Sequence, residues 1–296
     1  MPVPVPETIQ DALGREVRLA GPARRIVSLV PSETYSVFAL GAADRLVGRS
    51  RYCVEPALDV PALGGCKDPD VDAIVALKPD LVLANKEENG RKAVQALIDR
   101  GVPVHVSFPV DVLSGAAYLR ALARLLGKKS THAEALEAMH ARMATRTDVA
   151  VPTFVPIWND PWMTFDGGAY ASDVVELCGG RNVFADRPRR YPLAADLGRR
   201  EAWSAEKVGE RDTRYPRITL DEVVQRAPER VLLPNEPHDF TKEDEDALVN
   251  AGVPRDALVH VDGKDLFWYG AWSIEALMRV AAHIVRSTHI STPRPE

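Results

Sequence analysis

The residues of this chain that could do chemistry are few and scattered. Cys53, Cys66 and Cys178 are odd in number and lack CxxC spacing, which indicates buried or spare thiols rather than a disulfide framework or a zinc site. Seven histidines form no HExxH or comparable cluster, so no intrinsic metal site is expected; a lone His or Tyr could still ligate the metal of a bound cofactor. There is no GxSxG elbow, no GxxxxGKS/T phosphate loop and no GxGxxG after a strand. Glu87 and Glu88 are adjacent acids without a fixed partner for acid-base work, and they read as a solvated loop. No catalytic residues are assigned, and a non-enzymatic role is expected.

Aromatic residues carry the signal instead. Trp158, Trp162, Tyr215, Phe267, Trp268, Tyr269 and Trp272 belong to or neighbour the expected ends of strands, interspersed with Asn159, Asp160 and Lys264. Rings bury much area for little side-chain entropy, so this mixture suits a large, flat, amphipathic ligand. The run "LFWYGAW" holds four aromatics at one strand exit, more than a loop requires.

The elements that must position these residues alternate strand and helix. "RRIVSLV" is a buried strand, followed by a helix that Ser32, Glu33 and Thr34 open, with Val37, Phe38 and Leu40 inward and Gly41 as its stop. "LVGRS" and "LVLAN" are further strands, with helix "DVDAIVALK" and a Pro-Asp turn before the second. "GRKAVQALIDRGVPVHVSF" adds a helix and a strand. Such alternation predicts an α/β fold with a mainly parallel sheet covered by helices. Between Asp111 and Asp148 two helical patterns run almost end to end, and Leu136, Met139 and Met143 recur at helical spacing as core packing. After Pro152 the alternation resumes with strand "TFVPIW", helix "ASDVVELCGGRNVF" closed by Gly179 and Gly180, and "DEVVQRAPERVLL". The charged stretch Pro188 to Asp212 reads as a surface insertion.

"DAIVALKPDLVL" (Asp72 to Leu83) aligns without a gap on "DEVVQRAPERVL" (Asp221 to Leu232). "GVPVHV" is likewise echoed by "GVPRDALVHV". Two echoes in the same order indicate two lobes that are diverged copies of one α/β unit. The expected division is an N-terminal lobe over 1–127, a linking helix over 128–149 and a C-terminal lobe over 150–296, with the insertion at about 188–212. A length of 296 residues suits two such domains. The net charge of -5 argues against a nucleic-acid or anionic-membrane footprint. No apolar run approaches a membrane span, and "MPVPVPETIQDALGRE" has neither a basic n-region nor an apolar h-region. Two expectations stay open: a cytoplasmic protein, or an extracytoplasmic one whose signal was trimmed.

"RRIVSLVPSETYSVFALGAADRLVGRSRYCVEP", "LGGCKDPDVDAIVALKPDLVLAN", "VVELCGGRNVF" and "ITLDEVVQRAPERVLL" together resemble the helical-backbone solute-binding proteins of ABC importers, in particular the cobalamin-binding branch. The similarity runs from about Asp11 to Val285. It implies two βα lobes joined by one long backbone helix, a ligand cleft between the lobes, a periplasmic monomer, and no cofactor other than cobalamin or a related corrinoid as ligand. By position it implies ligand contacts at Pro31, Tyr52, Cys66 and Asn85 in the first lobe. In the second lobe it implies Met163, Tyr215, Asp265 and Phe267, with Trp268 and Tyr269 adjacent; Trp162 joins them as a rim aromatic. Cys66 and Asn85 stand where the cobalamin binder has tryptophans, and Met163 where it has phenylalanine, which favours a related corrinoid or another planar chelate. Haem or ferric-siderophore receptors share this fold, with Tyr52 or a cleft His then meeting iron; a cytoplasmic corrinoid-handling protein is the further alternative. The resemblance also implies that one acid on each lobe, Asp72 and Asp221, docks on an ABC permease; helix capping is the competing role for both.

Overall fold

The computed structural model describes residues 7–145 and 149–285. The chain divides into two compact units, Met1–Arg142 with Trp268–Ile274, and Met143–Phe267 with Glu275–Glu296. Residues 146–148, part of the expected linking helix, and the expected lobe ends at 1–6 and 286–296 lie outside the described residues.

The first unit opens with an antiparallel hairpin, β1 (Glu7–Gln10) and β2 (Glu16–Leu19). Then come β3 (Ile26–Ser28), α1 (Pro31–Ala39), β4 (Leu46–Arg49), α2 (Val71–Ala76), β5 (Leu81–Asn85), α3 (Arg91–Asp99), β6 (Val104–Ser107) and α4 (Val112–Leu126). Helix α5 (Thr131–Ala144) follows, and the boundary between the units falls within it. Its Leu136 and Met143 are buried, as a core-packing stripe requires. In the second unit the chain runs β7 (Val151–Phe154), α6 (Tyr170–Leu177), β8 (Gly180–Asn182), α7 (Leu193–Asp196), α8 (Ala205–Val208), α9 (Leu220–Gln225), β9 (Arg230–Pro234), α10 (Lys242–Ala251), β10 (Leu258–Val261) and α11 (Lys264–Phe267). Helix α12 (Ser273–Ile284) ends the described chain.

Both main sheets are wholly parallel, and they share one strand order. The first is β4-β3-β5-β6 and the second β8-β7-β9-β10, so each places its first strand between its second and third. The central strands β5 and β9 are buried along their whole length, which explains their near-continuous apolar sequence. The repeat is physical down to the turn. Lys78 and Ala227, each just before a proline, both have positive φ, at 47° and 46°. The next N–H in each copy is tied to the neighbouring chain: that of Asp80 donates to the Arg25 carbonyl at 2.9 Å, that of Glu229 to the Pro152 carbonyl at 2.8 Å.

Four details differ from the expectation. Helix α1 begins at Pro31 with Val30 as N-cap, so Ser32, Glu33 and Thr34 are buried residues of its first turn. Phe38 is 46% exposed rather than inward. The strand expected over "TFVPIW" stops at Phe154, because Pro156 has no N–H for a ladder. Gly180 lies in β8 and does not close α6; a Cβ there would meet Val175 Cγ1 at 2.6 Å, so the strand can pack this close to the helix only with glycine.

Candidate functional site

Ligands of open parallel sheets gather beyond the carboxyl ends of the strands, so the loops after each strand define a candidate rim on each unit.

On the first unit much of this rim is closed. Asn85, the last residue of β5, turns its Oδ1 to the N–H groups of Glu87 and Glu88 at 2.8 and 3.1 Å. Its Nδ2 donates to Ser107 Oγ at 3.1 Å and Tyr269 Oη at 3.0 Å. Ser107 and Tyr269 in turn donate to Glu33 Oε1 at 2.5 and 2.9 Å. The Tyr118 ring meets Tyr269 edge-on at 5.4 Å. Burial pushes the Glu33 carboxyl up to about 8, against the hydrogen bonds from Ser107 and Tyr269 that would lower it. The acid is therefore mainly neutral at pH 7. Asn85 and Tyr269, both expected among the ligand contacts, come together as parts of this buried network. Trp268, another expected contact, is 7% exposed and packs 6.5 Å from Tyr35 and 5.2 Å from Trp272. Pro31 is half-buried at the start of α1. Cys66 is buried, its thiol 3.6 Å from the Ser50 hydroxyl that also meets Cys53 at 3.1 Å, and burial pushes it up to about 11. Tyr52 is 58% exposed, with the Arg51 guanidinium 5.9 Å from its ring.

The second unit keeps an open rim. The chain beyond β7 folds back on itself, pairing Trp158 with Met163 and Met163 with Arg217. This leaves Trp158 45% exposed and Met163 half-buried. Beside them His238, in the loop after β9, lies 5.4 Å from the Trp158 ring and 4.7 Å from Phe240. Its Nε2 is 3.5 Å from Asp244 Oδ2. Trp162 stacks on Phe240 at 5.7 Å, Tyr215 carries the Arg214 guanidinium at 5.4 Å, and Phe267 meets Phe165 edge-on at 6.4 Å. Trp162, Tyr215 and Phe267 are half-buried. Asp265, expected as a ligand contact, is buried and grips Arg279 through both oxygens, at 2.8 and 2.6 Å.

The insertion is more than a surface loop. Arg187, just before it, is buried and donates to Asp196 Oδ1 at 3.0 Å and Glu222 Oε1 at 2.9 Å. Asp196 also accepts the backbone N–H groups of Arg190 at 2.9 Å and Arg217 at 2.7 Å, so one carboxylate sutures the insertion to the rim. Sequence reasoning missed Glu33, Arg187, Asp196 and His238; the closest signal was the density of arginine around the insertion.

Asp72 and Asp221 occupy the same place in their helices, the second residue of α2 and of α9, and both are exposed. Capping falls to the residue two earlier in each copy: Asp70 accepts from the Ala73 N–H and Thr219 from the Glu222 N–H. Asp72 pairs with Arg100 on the surface. Among the described residues no three His, Cys, Asp or Glu side chains gather as a metal site, and no helix is long and apolar enough to cross a membrane.

Residues 26–250 match the family described as periplasmic binding protein. A vitamin B12-binding protein of Yersinia pestis (strain Pestoides F) is 32% identical over 177 residues, which is 57% of this chain and 63% of that protein. The periplasmic vitamin B12 binding protein of Vibrio cholerae has the same fold, with a TM-score of 0.65 at 22% identity over 89% of this chain and 97% of that one. A periplasmic heme-binding protein from Roseiflexus sp. RS-1 gives a TM-score of 0.69 at 18% identity, over 88% of this chain and 98% of that one.

Proposed function

The chain belongs to the periplasmic binding protein family, a family of solute binders and not of enzymes, and on that premise we propose that it binds a corrinoid, cobalamin or a close relative, for delivery to an ABC importer. The observation that carries the ligand class is the 32% identity to a vitamin B12-binding protein over 177 residues. The rim of the second unit supports it: the exposed Trp158 ring, flanked by Met163 and His238, offers an apolar face with polar groups at its edge, as a flat chelate needs. On the first unit Tyr52, Pro31 and Cys66 are the proposed ligand residues, and Tyr52 is the exposed aromatic among them. Family membership supports a working place outside the cytoplasm.

Asp72 and Asp221 are the proposed permease contacts. Neither caps its helix, both are exposed, and the repeat puts them at equivalent positions of the two units, which supports a docking role for each. The test of the ligand class is a visible-absorption titration of the protein with cobalamin, cobinamide and haemin. Saturable spectral change with a corrinoid supports the proposal; a change with haemin alone moves the protein to the haem class, and no change with any of them sinks both.

A further inference from the structure

Trp158 is the exposed tryptophan of the second unit, and an exposed side chain keeps one direction only if its surroundings hold it. The fold-back beyond β7 fixes its backbone: the Met163 N–H donates to the Trp158 carbonyl at 3.0 Å and the Ile157 N–H to the Met163 carbonyl at 2.9 Å. That pairing fixes the chain and not the ring. The ring's two neighbours, in sequence and in space, are tied to one carboxylate. Asp244, the third residue of α10, is 6% exposed. Its Oδ1 accepts from Asn159 Nδ2 at 2.5 Å, and Asn159 Oδ1 accepts the Asp160 N–H at 2.7 Å, so the residue after Trp158 uses both ends of its amide. The other oxygen, Oδ2, accepts the Thr241 N–H at 2.9 Å and lies 3.5 Å from His238 Nε2. The His238 ring is 5.4 Å from Trp158 and 4.7 Å from Phe240. Burial works against ionisation, yet the Thr241 N–H, Asn159 and His238 hold the Asp244 carboxyl below the usual carboxylate range, so it is charged at pH 7 and its bonds are charge-assisted. A capping box needs one oxygen of such a carboxylate, directed back at the Thr241 N–H; the second serves the Trp158 loop.

We propose that Asp244 is the positioning residue of the second unit's ligand-facing aromatic surface: one oxygen holds Asn159, and with it the chain that carries Trp158, while the other seats His238 against the Trp158 ring. This rests on the reading that a planar chelate lies on that ring, and it adds the group that keeps the ring in place. A ring fixed before the ligand arrives has little freedom left to lose on binding, so loosening it weakens the complex with no ligand contact removed.

The test separates the tie to Asn159 from the helix cap. Asn159→Asp keeps an acceptor for the Asp160 N–H but sets two carboxylates against each other; adding Asp244→Asn restores a donor facing an acceptor, with the bond reversed. Thr241→Ala weakens the cap and leaves the Asn159 bond in place. The full chain labelled with fluorotryptophan gives one fluorine NMR signal for each of its five tryptophans, that of Trp158 identified by its loss in Trp158→Phe. Asn159→Asp is expected to shift or broaden the Trp158 signal and leave that of Trp203 in place. It should also weaken binding of dicyanocobinamide, or of haemin if the wild type prefers it, by at least ~10-fold, the weight of one hydrogen bond to a charged group. The exchanged pair should recover both. Thr241→Ala should lower the unfolding midpoint with signal and affinity unchanged. Should Asn159→Asp not fold, Asn159→Ala takes its place with the same expected losses. A Trp158 signal and an affinity that stay at wild type when the Asn159 bond is broken, that fail to return in the folded exchanged pair, or that follow the cap in Thr241→Ala, overturn the inference. If the wild type binds neither chelate while the Trp158 signal moves and returns, the ligand reading falls and the positioning by Asp244 stands.

Discussion

The two units share a strand order and a turn, yet they handle buried charge in opposite ways. In the first, the Glu33 carboxyl is surrounded by hydroxyl groups and stays protonated, so the region beyond β5 and β6 is neutral and closed. In the second, Asp196 and Glu222 meet the buried Arg187 guanidinium directly, and the same carboxylate of Asp196 ties the insertion to an open rim. A duplicated scaffold can thus be kept while its two rims diverge in chemistry. Neutralising a buried acid with hydroxyls makes a rigid wall, whereas pairing a buried base leaves its neighbours free for a ligand.

Breaking either arrangement gives the largest effects. Replacing Asp196 by Ala leaves Arg187 with one carboxylate and frees two backbone N–H groups; removing one partner of a buried pair costs about 3 to 5 kcal/mol and should lower the urea midpoint accordingly. The same loss should reduce chelate binding, since that carboxylate holds the Arg217 backbone, which pairs with Met163 beside Trp158.

Glu33 gives a comparable effect that depends on pH. Its carboxyl titrates near 4.5 unfolded and at about 8 folded, so its contribution is full below pH 4.5, falls as pH rises toward 8 and is flat beyond. A Glu33→Gln variant removes this slope. Between pH 5 and 9 the wild type should lose on the order of 3 to 5 kcal/mol relative to the variant, measured as unfolding free energy at each pH. Parallel pH profiles for the two proteins would show that Glu33 is not the titrating group.

Smaller effects separate capping from docking at the equivalent helix starts. Asp70→Ala and Thr219→Ala should each cost about 1 kcal/mol through lost N-caps. Asp72→Lys and Asp221→Lys should change stability by less than about 0.5 kcal/mol, while abolishing uptake measured in cells or vesicles with the cognate permease. Normal uptake with both charges reversed would remove them from the docking surface.

How much of this could be read from the sequence follows from how local each signal is. The helix-turn-strand repeat was legible because its prolines, acids and apolar spacing all lie within a dozen residues, and the fold followed from alternation. Strand β8 was hidden because "CGGRN" reads as a helix stop, and only the packing of Val175 against Gly180 shows why a strand needs glycine there. The run "LFWYGAW" announced aromatics but not their direction; Trp268 and Tyr269 turn inward onto Tyr35 and Tyr118, contacts made with residues distant in sequence. Arg187 and Asp196 sat in a charged stretch that looks like solvated surface until the pairing with Glu222 is seen.

The central claim is that a planar chelate lies on the Trp158 face of the second unit. Its most direct test is the dissociation constant of the preferred chelate, by visible-absorption titration, for the wild type and Trp158→Ala. The account predicts saturable binding that weakens by about 1 to 3 kcal/mol when the ring is removed, with the unfolding midpoint unchanged. An affinity equal to wild type in the variant would contradict it.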